Sequence, residues 1–124
     1  MNSLLPIMAG GAIGAALRHL LGGWMLSRLG PGFPFGTLGV NLAGGLLMGF
    51  LAGLLARSGG GETLRLFLGV GVLGGFTTFS AFSLETWLLF ERGEAAMALV
   101  YIGASVAGSV LALGAGLMIV RALP

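Results

Sequence analysis

Residues Gly74 to Glu85 read GGFTTFSAFSLE inside an otherwise apolar run, combining a glycine pair, the hydroxyls of Thr77, Thr78 and Ser80, and the rings of Phe79 and Phe82. In lipid every backbone N–H and C=O needs a partner, so unwound backbone survives only where it is buried in protein or lines a cavity. The stretch around Gly74-Gly75 and Thr77-Thr78 is therefore expected to break a helix, with Leu66 to Leu73 as one half and about Phe79 to Phe90 as the other. Such a break offers freed carbonyls to a cation and the N–H groups of the second half to an anion. The plainer alternative is a glycine kink absorbed by threonine hydroxyls bonding back to the helix. The concentration of glycine and hydroxyl residues favours a site.

Beyond the break, Phe79, Phe82, Ser83 and Thr86 recur at helical spacing and share a face. Phenylalanines on a membrane helix ordinarily pack or meet lipid. Here they stand among hydroxyls, and the positive edge of an aromatic ring can attract a small anion while its face excludes water. Two further polar stripes follow the same spacing: Thr37 with Asn41, and Tyr101 with Ser105 and Ser109. Asn, Ser, Thr and Tyr offer hydrogen-bond donors without a positive charge that would trap an anion. Hydroxyl and amide groups also serve as glue between membrane helices, and for Ser105 or Ser109 alone that reading is preferred. The three stripes together describe a donor-lined path.

The ionisable groups at membrane depth are few. Arg18 either snorkels to the interface or faces a water-filled vestibule where it gathers anions. His19 lies beside it without neighbouring metal ligands. Glu85 is close to the charged turn at Glu91, and pairing with an arginine is its first expectation.

The elements that must carry these groups follow from composition. The chain has 124 residues, 56% hydrophobic and 8% charged, with a mean hydropathy of +1.04. A soluble domain needs about 25% charged residues. Four apolar stretches, 4–26, 36–56, 66–90 and 95–120, reach the roughly 20 helical residues that cross a bilayer core. The expected fold is thus an all-α membrane protein, one four-helix domain over residues 1–124 with its third helix broken near the middle. No cleavable signal peptide is expected, because the first apolar run lacks a basic leader and simply forms helix 1. The six arginines are scattered, which excludes a nucleic-acid footprint. The absence of cysteine excludes disulfides and thiolate chemistry, and no enzyme constellation or nucleotide site is visible.

Of the 25 glycines, many recur at four-residue spacing, as in Gly10 and Gly14, and Gly45, Gly49 and Gly53, while Gly108 and Gly116 continue it with alanines between. Small residues at that spacing let helix backbones approach closely in lipid. Four thin helices leave little internal room, so an oligomer is expected. Arg57, Arg65 and Arg121 fall on one side of the membrane, against Arg28 and Arg92 on the other. Orientation follows a clear Lys/Arg bias; so small a difference permits insertion both ways and pairing with an inverted copy, although on this count alone an ordinary single orientation with a weak signal is the preferred reading.

GGAIGAALRHL at Gly10 to Leu20, GTLGVNLAGG at Gly36 to Gly45 and GGFTTFSAFSLE at Gly74 to Glu85 resemble the Fluc (CrcB) family of fluoride channels. With the four spans, the resemblance covers essentially the whole chain. It implies an antiparallel, dual-topology homodimer in a prokaryotic plasma membrane, with two fluoride pores and broken third helices crossing around a structural sodium ion. It also implies that the Gly74 and Thr77 carbonyls hold that sodium, that Phe79 and Phe82 line the pores, and that Asn41 is the pore asparagine. Thr37, Ser83, Tyr101, Ser105 and Ser109 would form the polar track, and Arg18 would stand at the vestibule. Ala81 departs from the threonine of many members. The implied activity is passive export of cytoplasmic fluoride, which relieves its toxicity.

Two rival functions fit parts of the sequence. A proton-coupled four-helix exporter would need a carboxylate in helix 1, which has none, so Glu85 would have to serve. A non-transporting assembly subunit would use the glycine faces and leave the polar stripes without a purpose.

Overall fold

The computed structural model describes residues 3–124. Four helical spans are long and apolar enough to cross a membrane. The first is α1 (Leu4–Leu29) and the second α2 (Phe35–Ser58). The third opens with α3 (62–76), whose middle, Arg65–Leu73, is wound as a π-helix, and continues in α4 (Phe79–Glu91). The last is α5 (Ala95–Arg121). Pro34 precedes the first turn of α2, and α2 ends at Gly59 with φ of 75°, a left-handed value that favours glycine.

Backbone approach determines how the helices pack. The closest pairs are α2 with α5 and α1 with α3. A Cβ added at Gly45 would meet the Ser109 carbonyl oxygen at 2.8 Å, one at Gly49 would collide with that of Leu113, and one at Gly53 would press on Val120 at 2.9 Å. The contact sites rise together along both helices, so α2 and α5 run parallel. The same register links Gly10 to Phe67 and Gly14 to Val72, making α1 and α3 parallel as well. We expect Gly49→Ala to destabilise the protein by ~1–3 kcal/mol through overpacking, measured as reduced resistance to unfolding in detergent. Unchanged stability would mean that the α2–α5 seam can open without loss.

At one end of this seam Arg57 donates from Nη1 to the Val120 carbonyl at 2.9 Å and from Nη2 to that of Pro124 at 2.7 Å. A cation at the C-terminal ends of two parallel helices also opposes their dipoles favourably. The compact apolar centre is small: Leu89, Ala98 and Tyr101 are buried, with Phe33, Leu38 and Phe82 packed around them. Only 11–22% of each span's apolar window is buried within the single chain. Most of the apolar surface is therefore left for lipid or a second copy.

The third span departs from regular winding at Thr77 and Thr78, whose backbones are extended (φ −84°, ψ 158° and φ −150°, ψ 118°). This is later than the glycine pair suggests. Gly74 to Phe76 stay helical, and the small size of Gly75 is used for packing instead, since a Cβ there would meet the Gly11 carbonyl oxygen at 2.7 Å.

Candidate functional site

The interruption is held by side chains. Asn41, on α2, accepts from the Thr78 N–H through Oδ1 at 2.8 Å and donates from Nδ2 to the Thr78 carbonyl at 3.1 Å. Thr78 caps α4, its Oγ1 accepting from the Ala81 N–H at 3.1 Å. A continuous helix would have sent those two amides to the carbonyls of Gly74 and Thr77. Both oxygens are thus deprived of their regular helical donors, and this redirection also explains how the extended residues keep their own N–H groups satisfied. The Thr77 N–H and Oγ1 both return to the Leu73 carbonyl, each at 3.0 Å.

Two cavities meet at this point. The first, about 460 Å³, is lined by Arg18, His19, Thr37, Ala81, Glu85 and Arg92 among others. The second, about 420 Å³, is lined by Asn41, Thr77, Phe79, Phe82, Ser105 and Ser109 among others. Thr78 is the residue common to both linings. The polar stripes of α2 and α5 are therefore divided: Thr37 faces the first cavity, whereas Asn41, Ser105 and Ser109 face the second.

Aromatic rings run between them. Phe79 and Phe82 lie 5.4 Å apart between centroids, and Phe82 lies 5.2 Å from Tyr101. Phe79 is 77% exposed in the single chain, so its packing requires something outside the protomer. Tyr101 is fully buried, and its hydroxyl donates to Glu85 Oε1 at 3.1 Å. Ser105 is buried, and its Oγ has no hydrogen-bond partner among the described residues.

Several residues sit differently from the sequence reading. Ser83 is exposed, donates to the Phe79 carbonyl of its own helix at 2.9 Å and lies outside both cavities. Gly74 is exposed and lines neither. The ion pairs among the described residues are Glu62 with Arg65 and Arg92 with Glu94, so the arginine partner expected for Glu85 gives way to Tyr101. The sequence signal for this pairing is the helical spacing of Phe82, Glu85 and Leu89, which turns Glu85 with Phe82 and Leu89 towards α5 rather than with Ser83 and Thr86. Arg18 lines the first cavity and donates from Nε to the Gly75 carbonyl at 3.2 Å, an inward contact in place of snorkelling.

Four membrane-length helices surrounding amide- and hydroxyl-lined cavities define a small multi-pass membrane protein, with its polar groups gathered around an interrupted span. Residues 5–117 match the family model described as CrcB-like protein, Camphor Resistance (CrcB), and the chain belongs to that family. It is 65% identical over 125 aligned residues to a fluoride-specific ion channel FluC of Sphingopyxis alaskensis, covering 100% of this chain and 99% of the relative. The proteins of the same name from Novosphingobium aromaticivorans and Rhizobium meliloti are 56% and 52% identical, with 98% or more of each chain covered. The chain is a multi-pass protein of a prokaryotic plasma membrane.

Proposed function

We propose that this protein is a fluoride-selective channel that lets cytoplasmic fluoride leave passively down its gradient. The observation that carries the reading is the gathering of uncharged donors and phenylalanine rings around the cavity that Thr78 helps to line, in a chain 65% identical over its length to a protein named as a fluoride-specific channel. Fluoride is small and strongly hydrated, and its passage requires groups that replace water without retaining the ion. Asn41, Ser105 and Ser109 supply such donors, with Phe79 and Phe82 as the apolar walls, while the buried Tyr101 spends its hydroxyl proton on Glu85. Fluoride efflux from liposomes containing the purified protein, compared with chloride, tests this directly. Equal or absent fluxes sink it, and fluoride accumulation driven by a proton gradient would favour a coupled exporter using Glu85.

The channel works as an antiparallel homodimer in the bilayer, each copy covering the exposed Phe79 face of the other. The near balance of arginines across the membrane supports insertion both ways. Adding roughly two or three Lys to one connection should fix the orientation and abolish flux, and co-expression with an oppositely biased copy should restore it. Full activity of a fixed-orientation protein alone would exclude the inverted pair.

A sodium ion at the dimer axis fits the donor set at the interruption. Each copy offers the Gly74 and Thr77 carbonyls, whose helical amides are engaged by Asn41 and by the Thr78 hydroxyl. Hard monovalent cations take such oxygens, and unsatisfied carbonyls in lipid cost several kcal/mol each. Replacing all sodium by a bulky organic cation should abolish fluoride flux; full flux without sodium would remove the ion from the architecture.

A further inference from the structure

We propose that Arg18 is a positioning residue, its Nε–H donating to the Gly75 carbonyl in place of the backbone amide that a continuous third helix would provide. The flux arm of its test rests on the channel reading above; the placement itself does not. Gly75 lies just before the extended pair Thr77-Thr78, and Phe79, whose amide would be its regular helical donor, instead opens the next helix. Its carbonyl receives Arg18 at 3.2 Å, across 57 positions of sequence.

The seam between α1 and α3 makes this reach possible. Gly14 and Arg18 are one turn apart on α1, and Gly14 packs on the backbone of Val72 and Phe76 while Gly75 packs on Gly11. The two backbones are close enough that the guanidinium spans the remaining gap from its ε position. Asn41 grips Thr78 from the opposite helix. The interruption is thus splinted from both sides, by α1 before it and by α2 after it. Arg18 also occupies Gly75, so the carbonyls free for other ligands are its neighbours at Gly74 and Thr77.

This role is distinct from anion gathering by the Arg18 charge in the first cavity, where Arg92 also lies. The two are separable by chemistry. Gln carries an N–H donor at the same number of bonds from Cα as arginine Nε, without charge. Lys keeps the charge but has a methylene at that position, and Met has neither. Because Arg18 also lines the first cavity, each variant is expected to lose some flux, but Arg18→Gln should retain several-fold more than Arg18→Lys and Arg18→Met, which lose about tenfold or more, the scale of one hydrogen bond from a charged donor.

The second readout needs no flux. Gly–Phe peptide bonds occur at Gly32-Phe33, Gly49-Phe50 and Gly75-Phe76, so protein labelled with carbonyl-¹³C glycine and ¹⁵N phenylalanine gives an NMR correlation for the Gly75 carbonyl. That resonance should shift in the Lys and Met variants and hold its position in Gln. A full-length wild type with no fluoride flux would reject the channel reading, and the carbonyl pattern would still decide the placement. High flux in Arg18→Lys with loss in Arg18→Gln, a Gly75 resonance unmoved in all variants, or failure of Arg18→Gln to fold would each overturn the proposal.

Discussion

Asn41→Asp should reduce fluoride flux by ~100-fold or more while leaving the proposed dimer assembled. Two effects act together. Asp retains an oxygen to accept the Thr78 N–H, but it loses the Nδ2–H that holds the Thr78 carbonyl at 3.1 Å and sets a second oxygen against it. The carboxylate also brings a negative charge to the lining of the second cavity. Like charges about 4 Å apart repel by ~4 kcal/mol at the effective dielectric of a partly polar site, and each 1.4 kcal/mol is a factor of about ten. Flux from liposomes, with the oligomeric state checked by size-exclusion chromatography, measures the result. Wild-type flux in Asn41→Asp would separate Asn41 from the conduction path.

The second large effect is expected at the phenylalanines. Ile keeps bulk and apolarity but removes the ring edge, so Phe79→Ile should lower fluoride flux by about tenfold or more, the upper range of an aromatic contact beyond its buried area. Phe79 is the cleaner test because it is 77% exposed in the single chain and anchors none of the protomer's own core. Phe82 packs beside Tyr101 at 5.2 Å, so Phe82→Ile should lower flux and loosen the Leu89–Ala98–Tyr101 cluster together. Wild-type flux in both variants, with the protein still folded, would return the rings to a packing role.

The helices themselves were legible because hydropathy in lipid is a strong signal, although their ends were not. Arg28, Arg57, Glu62 and Arg121 lie within the spans, since an apolar run stops at the first charge whereas the backbone hydrogen-bond ladder continues to the next turn residue. The glycine seams were legible as spacing. Their partners were not, because one glycine ladder can serve any neighbour, and only the fold shows parallel α1–α3 and α2–α5 pairs. Glycine permits unwinding, so residue types alone place the interruption at Gly74-Gly75, yet both stay helical, Gly75 packed on Gly11, and the chain extends at Thr77. The π-helical winding of Arg65–Leu73 leaves no mark in residue types. Asn41 was visible as a polar residue at membrane depth, while its two-way bond to Thr78 depends on an inter-helix distance that no local pattern encodes.

The two cavities that share Thr78 would have an electrical consequence in the proposed conducting assembly. The first cavity reaches the connection at Gly30 and Pro31, so where water fills it the membrane voltage falls across the drier remainder beyond Thr78, which the second cavity lines chiefly with apolar side chains. An ion carried across the full field exchanges about 2.3 kcal/mol per 100 mV. Most of that work would then be done beyond Thr78, on the stretch lined by Phe79, Phe82, Ser105 and Ser109, rather than evenly along the span.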